Sequence, residues 1–272
     1  MNRSIKYLTT PERRSKMNNN SSLFNRSQLS RSESLRRQNN LNRFLRMTFL
    51  LSFLFSLALL ITGCPSSLKL LDKFKKETAA GNYEWIAAQA VDCTDASEDC
   101  RQLHLIKGDA CYNLAKQGKD KLNNYALAAE ELAQGIEMTR NWSNTADRNQ
   151  YYENWCESLR NLQDLQSGQE ASATGAKFLS AAEKFLQTDP NSFAAIYFTA
   201  KARMRQTQKK LLDVNDTNRA QICGELNGLS QLAEDGAAKG QAAGGASWER
   251  YKANYDLLKK DVNNSKRAAN CP

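Results

Sequence analysis

The chain has 272 residues, of which 41% are hydrophobic, and this length allows one or two domains with a sizeable core. Four Pro and 13 Gly exclude collagen-like and Pro/Gly-rich low-complexity chains. A single His excludes sites that need two, such as an H-E-x-x-H zinc helix. The formal net charge of +9 at first suggests nucleic acid or an anionic membrane as a partner.

The excess positive charge lies entirely in the N-terminal head. Residues 1–46 hold eleven of the 38 basic and two of the 29 acidic residues, residues 47–63 hold no charge, and residues 64–272 hold 27 of each sign. Residues 64–272 have no net charge and give no support for phosphate binding, so we expect no nucleic-acid partner. The head is rich in Asn, Ser and Arg and lacks apolar periodicity, which predicts a basic disordered segment over residues 1–46.

An uncharged, mostly apolar run follows over residues 47–63. Its 17 residues fall short of the ~20 that a membrane-spanning helix needs, and they are typical of the apolar region of a signal peptide. Arg43 and Arg46 supply the basic region that precedes such a segment. Because this region begins near Leu41, we expect translation to start there and residues 1–40 to be an artefact of the gene model.

The apolar run ends in Ile61-Thr62-Gly63-Cys64, which resembles the lipobox of bacterial lipoproteins. The resemblance implies cleavage after Gly63 and attachment of lipid, with acyl chains such as palmitate, to the thiol of Cys64. Residues 64–67 would then form a lipid-attached tether, and the alternative is an uncleaved signal anchor. The same resemblance implies that Asp after the lipidated Cys would favour the periplasmic face of the inner membrane. Pro65 stands there instead, so the resemblance favours an outer-membrane lipoprotein that faces the periplasm.

Six cysteines follow Cys64, and an exported, oxidising compartment favours three disulfides among them. Six cysteines allow 15 connectivities, which sequence alone leaves open. Proximity in the predicted helical layout favours the pairs Cys93–Cys100, Cys111–Cys156 and Cys223–Cys271.

A zinc site is the alternative use of some of these cysteines. Cys100, His104 and Cys111 are spaced so that they fall within about 40° of one helical face, and Cys93 could complete a Cys₃His site. Export favours disulfides over zinc, so we expect no metal, no cofactor and an ordinary helical role for His104.

Apolar residues recur every three or four positions over residues 68–272, and β-branched runs are absent, which predicts an all-α domain of about nine helices. Ser97 is the expected N-cap of the third. Glycine predicts a loop over Ser167–Gly175 and a flexible connector over Gly236–Gly245. The predicted helices are Leu68–Ala80, Tyr83–Val91, Glu98–Gln117, Leu122–Thr139, Thr145–Gln166, Ala176–Thr188, Ser192–Lys210, Thr217–Glu234 and Ser247–Val262.

The stretch that begins at Asp189-Pro190 and continues with an aromatic and then small residues resembles the junction between tetratricopeptide repeats. Gly108, Ala128 and Gly135 resemble the small positions at which the two helices of such a repeat cross. Gly108 and Ala128 are 20 residues apart where the repeat has about 12, so Gln117–Asn124 would be an insertion. The resemblance implies stacked helix pairs, and a non-repeat helical bundle is the alternative.

No nucleophile motif, P-loop or dinucleotide-binding motif is present, so we predict that the protein is not an enzyme. Glu130 and Glu131 form a carboxylate pair, but adjacent residues on a helix point about 100° apart, and we expect a solvated face. One helix carries a run of basic residues that is either a solvated face or a docking site for an acidic partner: Lys201, Arg203, Arg205, Lys209 and Lys210.

Aromatic residues are candidates for a partner groove, although core packing is their default role in stacked helices. The candidates are Trp142, Tyr152, Trp155, Tyr197 and Phe198. The expected function is that of an envelope scaffold: a membrane-anchored lipoprotein that binds protein partners. The alternative is an accessory lipoprotein of a periplasmic solute transporter that binds a small apolar ligand. A closed cavity lined by Trp155, Tyr197 and Phe198 would favour the transporter accessory, and an open groove would favour the scaffold.

Overall fold

The computed structural model describes residues 67–272, so the predictions for the basic head, the signal peptide and the lipobox lie outside the described residues. The described chain is all-α, with nine helices and no strand, as the periodicity predicts. None of these helices is both long and apolar enough to cross a membrane. They are α1 (Ser67–Ala79), α2 (Tyr83–Ala87), α3 (Glu98–Lys116), α4 (Lys121–Met138), α5 (Thr145–Leu165), α6 (Gly168–Thr188), α7 (Phe193–Leu211), α8 (Arg219–Ala243) and α9 (Gly245–Ala268).

Neighbouring helices pack in pairs, and the pairs are stacked. Helices α1 and α2 lie against α3, each later helix packs on the one before it, and α9 contacts both α7 and α8. Asn154 of α5 donates to Asp109 of α3 at 2.6 Å, and Tyr112 of α3 donates to Glu157 of α5 at 2.7 Å. From the first contact to the second, the residue number rises by three on each helix, so α3 and α5 run in the same direction.

Two glycines allow α3 and α4 to approach closely. A Cβ atom on Gly108 of α3 would lie 2.6 Å from Leu132 Cγ, and one on Gly135 of α4 would lie 2.7 Å from Leu105 Cδ2. The pairing of 108 with 132 and of 105 with 135 makes the two helices antiparallel. The sequence-based expectation that these glycines mark a helix crossing is therefore confirmed.

The expected insertion between these two helices, Gln117–Asn124, is wrong. Helix α3 continues to Lys116 and α4 begins at Lys121, so residues 117–120 alone connect them. Gly118 has a φ of 88°, a value that favours glycine, and it reverses the chain. The long spacing from Gly108 to Ala128 is taken up by helices of 19 and 18 residues.

The glycine-rich segment Gly236–Gly245, expected to be a flexible connector, is mostly helical. Helix α8 runs to Ala243, because two of its glycines lie against aromatic rings of α9. A Cβ atom on Gly236 would collide with Tyr255, and one on Gly240 would collide with Trp248. Packing of α9 in this position outweighs the low helix propensity of glycine.

Other predicted boundaries shift at the ends of helices. The predicted loop at Ser167–Gly175 is wrong, since α6 begins at Gly168 and its early residue Thr174 is buried. Helix α2 ends at Ala87, and α9 continues to Ala268 beyond the predicted end at Val262. Ser97 caps α3 as expected, with its hydroxyl accepting from the Cys100 backbone N–H at 3.3 Å.

The hydrophobic core forms three clusters along the stack. The largest extends from α3 to α9 and contains fully buried side chains such as Leu132, Phe178 and Phe198. A second cluster joins α1 and α2 to α3 through Phe74, and a third lies between α3, α4 and α5 around Tyr112. This division is what stacked helix pairs produce, because each pair is covered mainly by its neighbours.

Candidate partner-binding groove

Helices α4, α5 and α6 enclose an open groove of about 760 Å³. Helix α5 forms the floor, and α4 and α6 form the two walls. Residues that line each wall recur every three or four positions, so one face of each helix borders the groove. The principal lining residues are Ala126, Glu130, Ala133 and Glu137 of α4, Trp155, Leu159 and Leu162 of α5, and Thr174, Lys177, Ser180 and Lys184 of α6.

The two walls run in the same direction. At one end of the α5–α6 pair, the Tyr152 ring is stacked on Phe185 with ring centroids 5.1 Å apart, and at the other end Thr174 donates to Gln166 at 2.6 Å. Helix α6 is therefore antiparallel to α5. Since α4 is antiparallel to α3, and α3 runs with α5, the walls α4 and α6 are parallel to each other.

The walls carry opposite charges. Glu130 and Glu137 lie on the α4 wall, and Lys177 and Lys184 lie on the α6 wall. None of these four residues forms an ion pair within the described residues. In each pair the two charges are seven residues apart, which is two helical turns or about 10.5 Å along the axis.

Trp155 is the one aromatic groove candidate that lines this groove. Its side chain is 8% exposed at the floor, and the ammonium of Lys184 lies 6.0 Å from its ring centroid. The small part of this indole that reaches the groove lies beside a cation, and a tryptophan next to a cation is a common anchor in protein interfaces.

The other aromatic candidates do not line this groove, and the groove prediction is wrong for the three that are buried. Tyr197 and Phe198 are 3% and 1% exposed, because Tyr251 and other rings pack against them in the core. Tyr152 is buried under Phe185. Trp142 is half-buried next to Tyr152 and under the guanidinium of Arg101, where it covers one end of the core.

The carboxylate pair on α4 is split between two environments. Glu130 borders the groove, whereas Glu131 points to α3 and is buried, so the expectation of a solvated face is wrong for Glu131. Its oxygens contact His104 Nδ1 and Lys107 Nζ, each at 2.6 Å. Burial opposes ionisation of Glu131, but hydrogen bonds from these two residues outweigh it and lower the pKa of the carboxyl group.

His104 is a buried ion-pair residue and not an ordinary helical one. The hydrogen bond with Glu131 raises the pKa of the imidazole, against a lowering by burial, and a second bond to the Cys93 carbonyl oxygen at 3.1 Å adds to the increase. Both ring nitrogens face oxygen atoms that only accept hydrogen bonds. The imidazolium form, which donates from both nitrogens, fits this site best.

Two of the three preferred disulfides are present: Cys93–Cys100, with Cα atoms 5.8 Å apart, and Cys223–Cys271, at 5.4 Å. The third is wrong, because Cys111 and Cys156 are free and buried. Their side chains belong to different hydrophobic clusters, although α3 and α5 touch nearby. Burial raises the pKa of the Cys111 thiol to about 11 and raises the pKa of Cys156 as well.

The alternative zinc set is not assembled. Ligand atoms of Cys93, Cys100 and His104 lie within 4.8 Å of one another, but the two sulfur atoms are bonded to each other. A disulfide offers no thiolate to a metal ion. Cys111, the fourth member of the set, lies instead in the hydrophobic cluster between α3, α4 and α5.

The basic run on α7 is balanced within the chain. Arg203 pairs with Glu183 at 2.9 Å and Arg205 with Asp164 at 2.8 Å. The other three basic residues also have partners: Lys201 pairs with Asp261, Lys210 pairs with Glu225, and Lys209 contacts the hydroxyl of Ser172. Four of the five charges therefore have an acidic partner on a neighbouring helix.

The groove between α4 and α6 combines an apolar floor with two oppositely charged walls. Such a surface suits a partner that has an apolar stripe and polar flanks. The chain matches no protein-family model, and no curated protein matches it.

Proposed function

We propose that the protein is a membrane-anchored, periplasm-facing lipoprotein that acts as an interaction scaffold of the cell envelope. The lipobox-like sequence before Cys64 supports the anchor, and the stacked helices support binding. The proposal assigns no catalytic role and no cofactor. The lipid would hold the domain at a membrane, most simply the outer membrane, and raise its effective concentration for a partner there.

The open groove is the observation that carries the binding role. It has the volume of a ligand site, but its lining includes solvent-exposed, unpaired charges such as Glu137 and Lys177. A small apolar ligand would leave those charges unused. Tyr197 and Phe198, which a closed ligand cavity would require, are packed in the core, so the groove favours a protein partner over the transporter accessory role.

The anchor is tested by the substitution Cys64→Ala. We expect the wild-type chain to incorporate an alkyne-tagged palmitate, to lose residues 1–63 and to fractionate with the outer membrane. The variant should incorporate no label and keep its N-terminal segment. A variant that is labelled as strongly as the wild type would show that Cys64 is not the lipid site.

The scaffold role is tested by photo-cross-linking in intact cells. A photoreactive amino acid at Ala133 or Ser180, which line the groove, should give a discrete adduct with one envelope protein. The same amino acid at Ala173, an exposed residue of α6 that does not line the groove, is the matched control. Equal adducts at all three positions, or a small molecule that copurifies with the protein and blocks the groove, would contradict the scaffold role.

A further inference from the structure

We propose that the groove between α4 and α6 binds an amphipathic helix whose two polar edges carry opposite charges, basic towards α4 and acidic towards α6. This inference rests on the proposed scaffold function and names the chemistry of its partner. It follows from the shape of the groove, its apolar floor and the charges of its walls.

The shape of the groove fits a helix. The α4 wall extends from Ala126 to Glu137, which is three turns or about 16.5 Å of helix. Alanines at Ala126, Ala129 and Ala133 keep that wall low, and small side chains at a helix crossing let a second backbone approach closely. A helix laid between α4 and α6 would therefore continue the layer that these two helices form.

The floor provides the apolar contact. Trp155, Leu159 and Leu162 are spaced by four and three residues along α5, so they form a continuous stripe beneath the groove. Each of the three is less than a tenth exposed, and an occupant would complete the removal of this stripe from water. The matching surface on the occupant is an apolar face at three- and four-residue spacing, which is the pattern of an amphipathic helix.

The walls determine the charges of the occupant. Glu130 and Glu137 face one edge of a bound helix, and Lys177 and Lys184 face the other. A helix with acidic residues on both edges would meet two carboxylates, and one with basic residues on both edges would meet two ammonium groups. Opposite charges on the two edges satisfy both walls, and this requirement excludes partners that share only the apolar face.

The same asymmetry sets the direction of the bound helix. Turning a helix end for end in a groove exchanges its left and right edges. Because the acidic residues that line the groove lie on α4 and the basic ones lie on α6, only one of the two directions places each edge against the opposite charge. A helix with its charged edges exchanged would therefore bind in the reverse direction.

Synthetic peptides test the inference on residues 64–272 with Cys64→Ala, exported behind the cleavable signal peptide of a soluble periplasmic protein and checked for both disulfides by mass spectrometry. The probe is an 18-residue helix with a Leu/Ala stripe, Lys on one edge and Glu on the other. A peptide of the same composition with Lys and Glu mixed on both edges is the control. In fluorescence anisotropy the first peptide should bind at least tenfold more tightly, and equal affinities would overturn the inference.

Charge reversal on the protein identifies the groove as the binding site. The double variant E130K/E137K should weaken binding of the probe at least tenfold. The matched control E249K/D256K makes the same charge change at two exposed positions of α9, also seven residues apart and unpaired within the described residues, and should change affinity less than twofold. Equal losses in the two variants would show that the probe senses only net charge, and would overturn the inference.

The quadruple variant E130K/E137K/K177E/K184E exchanges the walls. It should recover the affinity within threefold and bind the probe in the opposite direction, as shown by which end of the groove a photoreactive group at the peptide N-terminus labels. Unchanged direction would overturn the inference. Light scattering gives a second test. If the wild-type chain is a dimer and E130K/E137K is a monomer, a second copy of the chain fills the groove, and the inference is overturned. Either result leaves the cross-linking test of the scaffold role intact.

Discussion

Both ring nitrogens of His104 face oxygen acceptors, and this geometry connects the stability of the fold to pH. An imidazolium donates to Glu131 and to the Cys93 carbonyl, whereas a neutral ring would leave one nitrogen lone pair against an oxygen. The folded-state pKa of His104 is raised, so its contribution is complete below the unfolded value near 6.5 and is lost as pH rises through the folded value. The pKa of Glu131 is lowered, so its contribution is lost as pH falls through the folded value.

We therefore expect the free energy of unfolding to fall between pH 6 and pH 9. His104 is the sole histidine of the chain, and the buried thiols have raised pKa values, so few other groups titrate in this interval. The variant H104Q should lose about 2 kcal/mol at pH 6, because hydrogen bonds to a charged group are removed, and should show a flatter pH dependence. The measurement is urea unfolding across the pH range. A wild type that gains stability from pH 6 to pH 9, or an H104Q variant with the wild-type slope, would contradict this expectation.

Identical side chains on one element can have opposite roles, which the sequence alone does not distinguish. Glu130 and Glu131 are adjacent, yet one borders the groove and the other is buried against α3. Periodicity predicts which face of α4 is apolar, but it does not predict which neighbour each polar residue meets. Lys177 contributes to the same groove from a helix 47 residues further along the chain than Glu130, and their relation depends on how α4 and α6 pack on α5.

At the scale of helices, α8 shows why the glycine-rich segment was predicted incorrectly. Glycine weakens an isolated helix, so sequence reasoning ends α8 before Gly236. In the fold, α9 packs its aromatic rings where a Cβ atom would otherwise lie, and the helix continues to Ala243. Glycines of α8 that lack such contacts should then affect stability only through their low helix propensity.

Two alanine substitutions on α8 separate these cases. G236A should destabilise the protein by roughly 1–3 kcal/mol, because a Cβ atom would collide with Tyr255 and Ile196 in a packed core. G224A, on the same helix with open space around it, should stabilise the protein by roughly 0.5–1 kcal/mol through higher helix propensity. Chemical denaturation measures both. A gain of stability in G236A comparable with that in G224A would show that helix propensity, and not packing, decides the outcome.

Over the whole molecule, the two disulfides constrain the ends of the described stack differently. Cys93–Cys100 closes a loop of seven residues, whereas Cys223–Cys271 closes one of 48 and ties the C-terminal end of the chain to the start of α8. In the loop-entropy model the longer loop restricts the unfolded chain more. The same two pairings followed from proximity in the predicted layout, because each joins residues beside a helix end. The predicted pair Cys111–Cys156, which does not form, lies inside two helices, where the direction of each side chain decides whether the sulfur atoms meet.

We expect removal of the C-terminal bridge in C223A/C271A to cost roughly 4 kcal/mol and removal of the first bridge in C93A/C100A roughly 2 kcal/mol. Guanidinium unfolding without reductant gives both values, and alkylation of the unfolded Cys64→Ala chain under the same conditions should find two thiols, those of Cys111 and Cys156. The C223A/C271A variant should in addition lose protection from proteolysis over α9, since that helix then has a free C-terminal end. Equal losses from the two variants would mean that local packing at Cys100 and Cys223, both buried, outweighs loop closure in this fold.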